Sequence, residues 1–202
     1  MDEVLDFLLR ADRQVWYFLH GTARSSFQDA VIPFLRNQYF WAPVYLFLLL
    51  LAFVNRRMRG LLWCVGFLLA FVLADHISAA ILKPWIGRVR PCNDPAMAQA
   101  LHLLVHCGGG LSFPSSHASN HFAMAVFTAQ TLGRGGRRWV WWPTMAWATL
   151  VAYAQVYVGV HYPGDVLGGA LLGFLLGSFV AMLYRRVDRR MTSRFLTPPT
   201  SQ

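Results

Sequence analysis

Long apolar runs dominate this chain and restrict it to folds that are built inside a lipid bilayer. These runs lie at about 39–54, 61–82, 117–132, 139–160 and 165–184, and a helix of about 20 residues crosses the hydrocarbon core. Charged residues amount to only 13% of the 202 residues, against about 25% in a soluble domain. We therefore predict an all-α integral membrane fold, one domain over 1–202 whose five transmembrane helices form a bundle.

The segment before the first apolar run has a different pattern. Residues 2–19 carry an apolar stripe at helical spacing opposite charged residues: Val4, Leu5, Leu8, Leu9, Val15, Trp16 and Leu19 against Asp2, Asp6, Arg10 and Arg13. This pattern predicts an amphipathic helix in the membrane interface, within an N-terminal segment 1–37. A sixth, poorly apolar transmembrane helix is the alternative. The bundle then covers 38–184, and 185–202 forms a basic cytoplasmic tail.

Basic residues are unevenly distributed and indicate how the bundle is oriented. Eleven of the 18 follow spans one, three and five: Arg56, Arg57, Arg59, Arg134, Arg137, Arg138, Arg185, Arg186, Arg189, Arg190 and Arg194. Because cytoplasmic loops carry the excess of positive charge, we predict that these ends are cytoplasmic. The net charge of +9 is then a signal of topology, and we expect no nucleic-acid partner.

Three short polar segments, 83–91, 114–117 and 161–165, fall together at the opposite, extracytoplasmic helix ends in this orientation. The orientation follows from arginines outside all three segments, so their agreement independently supports a single site at that end of the bundle.

The first segment supplies cations. It contains Lys83, the only lysine of the chain, followed by Arg88 and Arg90. Pro84 disfavours helix at Lys83 and predicts that span two ends there. Three cations at one helix end suit a phosphate group, whereas snorkelling of Lys83 and contact with lipid headgroups are the alternatives.

The second segment opens span three with Ser115, Ser116 and His117. The first amides of a helix lack internal partners and attract anions, and serine hydroxyls add donors. His117 could protonate a leaving oxygen. Ordinary N-capping is the alternative role for the serines.

The third segment places His161 four residues before Asp165. A carboxylate at this spacing can hold one imidazole nitrogen as the N–H donor, which leaves the other nitrogen as a nucleophile. The alternative is that Asp165 complements the dipole of span five beside an unrelated histidine. As a nucleophile His161 must be neutral, whereas His117 as an acid must be protonated.

Together these segments resemble the signature of the type 2 phosphatidic acid phosphatase superfamily, the membrane relatives of the vanadium haloperoxidases. That signature is Lys, six residues, Arg-Pro; then Pro-Ser-Gly-His; then Ser-Arg, five residues, His, three residues, Asp. Here the first motif is complete from Lys83 to Arg90, the second has Ser116 in place of glycine, and the third keeps His161 and Asp165. The resemblance covers about 60–184.

The resemblance implies that His161 forms a phosphohistidine, that Asp165 orients it and that His117 protonates the leaving group. It also implies phosphate binding by Lys83, Arg90 and Ser115, with no metal and no cofactor. The expected partner is a lipid phosphate in the bilayer of a bacterial inner membrane, with the site facing the periplasm or the cell exterior. Undecaprenyl diphosphate is the first candidate, ahead of phosphatidylglycerol phosphate, phosphatidic acid and lipid A 1-phosphate. A non-catalytic lipid binder or transporter is the alternative class.

The third motif departs from the signature, because Ala154 and Gln155 stand in place of Ser-Arg. Gln155 can donate a hydrogen bond but cannot neutralise charge. We therefore expect Arg88 to supply the missing cation; reduced activity is the alternative.

A metal site is the competing interpretation of the polar residues in the spans. His117 and His121 have the spacing of zinc ligands, and Asp75 and His76 lie within span two. The anion site explains more residues, so we expect Asp75 and His121 to form a buried polar layer beneath it.

The outer loop carries two of the three cysteines. Cys92 and Cys107 would face an oxidising compartment, which predicts a disulfide, with two free thiols as the alternative. Between them, Asp94 and Pro95 form a good helix start, and we predict a short helix over 95–105.

Overall fold

The structure, a computed structural model, describes residues 2–22, 24–133 and 136–196, and this part of the chain is helical without a β-strand. The α-helices are α1 (Asp2–Tyr17), α2 (Ser26–Arg36), α3 (Gln38–Arg56), α4 (Met58–His76), α5 (Lys83–Ile86), α6 (Ser116–Leu132), α7 (Trp141–Tyr157) and α8 (Pro163–Leu196). π-Helical turns over Phe18–Thr22 and Ile77–Leu82 extend α1 and join α4 to α5, and 3-10 turns cover Pro91–Asn93, Pro95–Ala100 and Arg138–Val140. The predicted all-α class is confirmed for the described residues.

Three helical stretches are long and apolar enough to cross a membrane, judged by length and composition: Gln38–Arg56, Met58–Ile86 and Pro163–Met191. They correspond to the first, second and fifth predicted spans. The helices at the other two, α6 and α7, have 17 residues each. The count of five spans therefore stays a prediction, as does the position of α1 in the interface. The predicted boundary at 184/185 lies inside one continuous helix, and 197–202 lie outside the described residues.

Span two ends later than Pro84 predicts. The helix continues to Ile86 and stops at Gly87, whose φ of 70° is left-handed and whose amide bonds the Lys83 carbonyl at 3.0 Å. Pro84 is accommodated because the preceding turn is π-helical and Pro84 lies in the first turn of α5, where a helix needs no amide donor. Lys83 is thereby held at the base of the outer loop.

The centre of the bundle is α6, which is buried along most of its length against α4, α7 and α8. Three glycines of α8, four residues apart, allow its backbone to touch α6. A Cβ at Gly169, Gly173 or Gly177 would lie 2.5, 2.3 or 2.4 Å from the carbonyl oxygens of Ser115, Ser119 and Ala123 respectively. Small residues at this spacing permit close helix packing in membranes, and here they fix the start of α6 against the start of α8.

Replacing Gly173 with alanine is expected to lower the free energy of unfolding by about 1–3 kcal/mol, because the new methyl group would overlap backbone of α6. Thermal unfolding in detergent measures this. Gly21→Ala is the matched control, since a Cβ there meets nothing within 4 Å. Equal melting temperatures for the two variants would contradict the packing described.

The predicted helix over 95–105 is wrong in type and length. Asp94 caps the turn as expected, accepting the Ala96 amide at 3.0 Å, but the turn is a 3-10 helix that ends at Ala100. Its continuation is prevented because the His102 amide donates instead to Nε2 of His20 on the N-terminal segment, at 3.0 Å. A tertiary hydrogen bond thus replaces a helical one.

The predicted disulfide between Cys92 and Cys107 is present, and Cys64 is a free, half-buried thiol. We expect reduction to lower the melting temperature, because the bridge closes a loop of about 16 residues, worth about 3 kcal/mol in the chain-entropy model. Intact-mass analysis after denaturing alkylation should find one free thiol in the parent chain. Three alkylated thiols would contradict the bond, and Cys64→Ala, which should then show none, is the control.

The arginine-rich ends lie together, away from the polar segments. Arg59 pairs with Asp188 at 3.6 Å, and Arg56 and Arg137 line one cavity. Because α6 runs from Ser116 to this end, the common placement agrees with the topology inferred from charge. That this end is cytoplasmic stays a prediction.

Candidate active site

Backbone hydrogen bonds join the three polar segments into one site. The Ser115 amide donates to the Asp165 carbonyl at 2.9 Å, which connects the second and third segments. The Ser112 amide donates to the Arg88 carbonyl at 2.7 Å, which connects the first segment to the residues just before the second. These bonds bring residues that lie far apart in sequence together at one end of the bundle.

His161 and Asp165 form the predicted pair at the start of α8. Nδ1 of His161 lies 3.4 Å from Oδ2 of Asp165, and the two side chains are 2% and 0% exposed. The same oxygen accepts the Tyr162 amide at 2.8 Å and the Ser112 hydroxyl, which also lies 3.4 Å from Nδ1 of His161. Because Nδ1 faces the carboxylate, Nε2 is the ring nitrogen that is available to react with a ligand.

Burial sets the charge state of His161. Complete desolvation lowers its pKa from 6.5 to about 4, and the nearby cations Arg90 and Lys83 act in the same direction against the opposing effect of Asp165. A neutral imidazole is the form that can act as a nucleophile. The same electrostatics place Lys83 and Arg90 close to His161, as expected for one site.

Arg88 lies elsewhere than expected. Its Nη1 donates to Oδ1 of Asp165 at 2.7 Å, and its Nη2 to Oδ2 of Asp12 on α1 at 2.5 Å. Asp12 in turn accepts the Gly164 amide at 2.7 Å. Because two carboxylates already neutralise Arg88, the expectation that it supplies the cation missing from the third motif does not fit this geometry. It holds the Asp165 carboxylate instead.

Sequence reasoning missed Asp12 and Ser112, which complete the surroundings of Asp165. Asp12 lies 76 residues from Arg88, and Ser112 lies 53 residues from Asp165. Neither belongs to a motif. The one available signal was that Asp12 lies four residues after Leu8 and four before Trp16, which places an acid on the apolar stripe of its helix.

Arg90 is available to an anion. Its Nε is buried and has no hydrogen-bond partner in the part of the chain that the structure describes, although a buried donor without a partner is costly. Arg90 is separated from Lys83 by the left-handed turn at Gly87. An anionic ligand would satisfy the Arg90 donor.

The start of α6 shows the N-capping role that was the alternative for its serines, whereas phosphate binding by them stays a prediction. Ser115 is the N-cap, accepting the Ala118 amide at 3.5 Å, and it is fully buried. Ser116 is bonded to the Ser78 hydroxyl at 3.0 Å. His117 is half-buried and lines two cavities.

The polar layer beneath the site consists of two separate pairs. Asn120 donates to Asp75 at 2.9 Å, and Nε2 of His121 lies 2.9 Å from the hydroxyl of Tyr45. Nδ1 of His121 faces the His117 carbonyl at 2.8 Å, so both of its nitrogens have partners. His76 is exposed. In the described ranges, no group of three His, Cys, Asp or Glu side chains could hold a metal ion.

Gln155 is fully buried on α7. Its carbonyl accepts the His161 amide at 3.2 Å, which places it beside the nucleophile. Its side-chain oxygen accepts a hydrogen bond of 3.0 Å from Nε of Arg36. An arginine from α2 therefore reaches the position at which the third motif lacks one.

Comparison with known proteins places this geometry among membrane phosphatases. The model of the PAP2 superfamily matches residues 60–189. The chain is 30% identical over 194 residues to the lipid A 4′-phosphatase of Bacteroides thetaiotaomicron, covering 95% of this chain and 83% of that protein. It is 25% identical over 183 residues to the undecaprenyl-diphosphatase of Bacillus subtilis, covering 87% of each. The crystal structure of a PAP2-type phosphatidylglycerolphosphate phosphatase from Bacillus subtilis superposes with a TM-score of 0.70 at 27% identity, covering 89% of this chain and 87% of that one.

Proposed function

The chain belongs to the PAP2 superfamily and is a phosphatase acting on lipid phosphates; we propose that it works through a phosphohistidine on His161. The observation that supports this most directly is the buried pair of His161 and Asp165, with Nε2 of the imidazole directed away from the carboxylate. A neutral, oriented imidazole is an activated nucleophile.

In the first step, the lone pair on Nε2 of His161 forms a bond to phosphorus. The bond between phosphorus and the lipid oxygen breaks, and His117 gives its proton to that oxygen. In the second step, a water oxygen forms a bond to phosphorus and gives a proton to His117. The bond between phosphorus and Nε2 of His161 breaks, and inorganic phosphate leaves. Asp165 stabilises the positive charge that His161 carries in between.

The phosphoryl oxygens are bound by fixed donors. Lys83 and Arg90 supply charge, and the buried Nε of Arg90 has no other partner in the described residues. Ser115 and Ser116 place hydroxyls and the unpaired amides of α6 beside the phosphorus. Hydrogen-bond donors that are already in position before the reaction stabilise the negative charge of the transition state, because they do not have to reorganise.

A cavity of about 500 Å³ beside the site suits a lipid tail. Its polar end contains Ser116 and His117, and the remainder is largely apolar, with Leu49, Phe67, Leu68, Phe71 and Met124. It lies among α3, α4 and α6, so a lipid can enter from the bilayer while its phosphate stays at the surface. We propose that this surface is the periplasmic face of a bacterial inner membrane.

Among lipid phosphates, lipid A 4′-phosphate is the first candidate to test. The relative that matches 95% of this chain is a lipid A 4′-phosphatase, which moves this substrate ahead of undecaprenyl diphosphate, the first expectation from sequence. The undecaprenyl-diphosphatase relative keeps the diphosphate as the second candidate.

Phosphate release by the purified protein in excess chelator tests the proposal. We expect turnover to persist, because an imidazole attacks and protein cations hold the phosphate. The panel contains lipid A, undecaprenyl diphosphate, phosphatidylglycerol phosphate and phosphatidic acid, and mass spectrometry of lipid A distinguishes loss at the 4′ and 1 positions. Activity that chelation removes and zinc restores would favour the metal interpretation. Binding without any turnover would favour the non-catalytic class.

A further inference from the structure

Arg36 is held on a defined face of α2. The side chains that α2 presents to α7 are Asp29, Ile32 and Arg36, at positions i, i+3 and i+7, which share one helix face. The Tyr157 hydroxyl donates to Asp29 at 2.7 Å, and Ile32 is buried in a cluster that includes Tyr157. These contacts hold the last turn of α2 against α7, and this packing places Arg36 within hydrogen-bond distance of Gln155.

Arg36 carries a charge that no carboxylate of the described residues neutralises. Its one hydrogen bond within that part of the chain runs from Nε to Gln155, which leaves the two terminal nitrogens for another acceptor. Other half-buried arginines differ: Arg24 pairs with Asp29 at 2.8 Å, and Arg88 pairs with two carboxylates.

Arg36 also lies within electrostatic range of Arg90. Burial and repulsion from Arg90 both lower the pKa of Arg36, and Nε of Arg90 is itself buried without a hydrogen-bond partner among the described residues. Two guanidinium groups brought together away from water repel each other unless an anion binds between them. The arrangement is therefore complementary to a phosphoryl group.

Arg36 and His117 line the same cavity. A cavity of about 510 Å³ is lined by Arg36, Val105 and His117. Gln155, which anchors the guanidinium, also holds the His161 amide through its carbonyl. Arg36 thus faces the same volume as the proposed acid and is anchored beside the proposed nucleophile.

We propose that Arg36 binds the phosphoryl group and replaces the cation that the third motif lacks at Gln155, with Gln155 as its positioning residue. In this protein the positive charge is supplied by α2, whereas the third motif of the family would supply it from α7. The inference rests on the proposed function, since it concerns the same site.

The test compares Arg36→Ala with the double variant Arg36→Ala/Gln155→Arg. In the double variant, an arginine on α7 restores the positive charge. Loss of one charged donor is expected to lower kcat/KM by about 10²-fold. We expect the inhibition constant of inorganic phosphate to rise about tenfold or more, since hydrogen bonds to charged groups are roughly twice as strong as neutral ones. The double variant should recover about tenfold in kcat/KM. Arg10→Ala, an exposed arginine of α1, is the matched control and should behave as the parent.

A kcat/KM of Arg36→Ala within about twofold of the parent would overturn the proposal, as would a large loss that Gln155→Arg does not reverse at all. Arg36→Gln keeps much of the side-chain length and removes the charge. It therefore provides a second test of the charge if the alanine variant unfolds. Loss of folding in both would assign Arg36 to structure alone and also overturn the proposal.

Calorimetric titration with inorganic phosphate separates this inference from the proposed function, because it needs no turnover. A parent chain that binds phosphate but releases none from any lipid would contradict the phosphohistidine mechanism. Weaker phosphate binding by Arg36→Ala would still support Arg36, and equal binding would contradict it.

Discussion

Replacement of His161 by alanine is expected to abolish phosphate release, a loss on the order of 10⁴-fold or more in kcat. No other side chain can take over, because the covalent bond to phosphorus forms at Nε2 of this imidazole. The Asp165 carboxylate keeps its bonds to Arg88, Ser112 and the Tyr162 amide, so the surrounding structure has support without the histidine. Initial rates and the melting temperature of the same preparation measure the two effects separately.

The matched control is His106→Ala, an exposed histidine of the outer loop, which should keep the rate of the parent. Rapid alkaline quench of the parent with ³²P-labelled substrate should trap phosphate on the peptide that contains His161, because the phosphorus–nitrogen bond is stable in alkali. Near-normal turnover in His161→Ala, or label trapped on another residue, would rule out the proposed nucleophile.

Replacement of His117 by alanine is expected to lower kcat by about 10²–10⁴-fold on an alkyl lipid phosphate, the range usual for loss of a general acid. The loss should depend on the leaving group. An alkoxide needs a proton to depart, whereas p-nitrophenolate or a departing phosphate needs little help. We therefore expect a much smaller loss on p-nitrophenyl phosphate or on a lipid diphosphate than on lipid A.

Comparing His117→Ala with the parent across these substrates separates proton donation from binding. If all substrates lose the same factor, His117 binds the phosphate or supports the fold and does not act as the acid. A change in KM with kcat unchanged would lead to the same conclusion, since it reports uniform binding.

Several features of the fold and of the candidate site could be predicted from local sequence. The apolar runs predicted an all-α membrane protein because hydrocarbon admits few other backbone arrangements. The pair His161 and Asp165 was predictable because a spacing of four residues across a helix start brings two side chains together without any other part of the fold. The disulfide was predictable because Cys92 and Cys107 lie in the same outer loop, which the charge pattern places in an oxidising compartment.

The sequence-based predictions were wrong where a distant contact or a change of helix type overrides the usual local preference. Asp94 and Pro95 do start a helical turn, but His20 captures the His102 amide and stops it. Pro84 does not end span two, because a π-helical turn accommodates it.

The tertiary structure alone decides which cation serves which anion. Arg88 follows Lys83 closely in sequence and was the obvious substitute for the missing arginine, yet it pairs with Asp12 and Asp165. Arg36 lies 119 residues from Gln155 and reaches it. The sequence by itself determined the kinds of groups at this site and the end of the bundle at which they gather. Coulomb energy depends on distance and burial, which are set by the packing of whole helices, so only the folded chain determines how the charges pair.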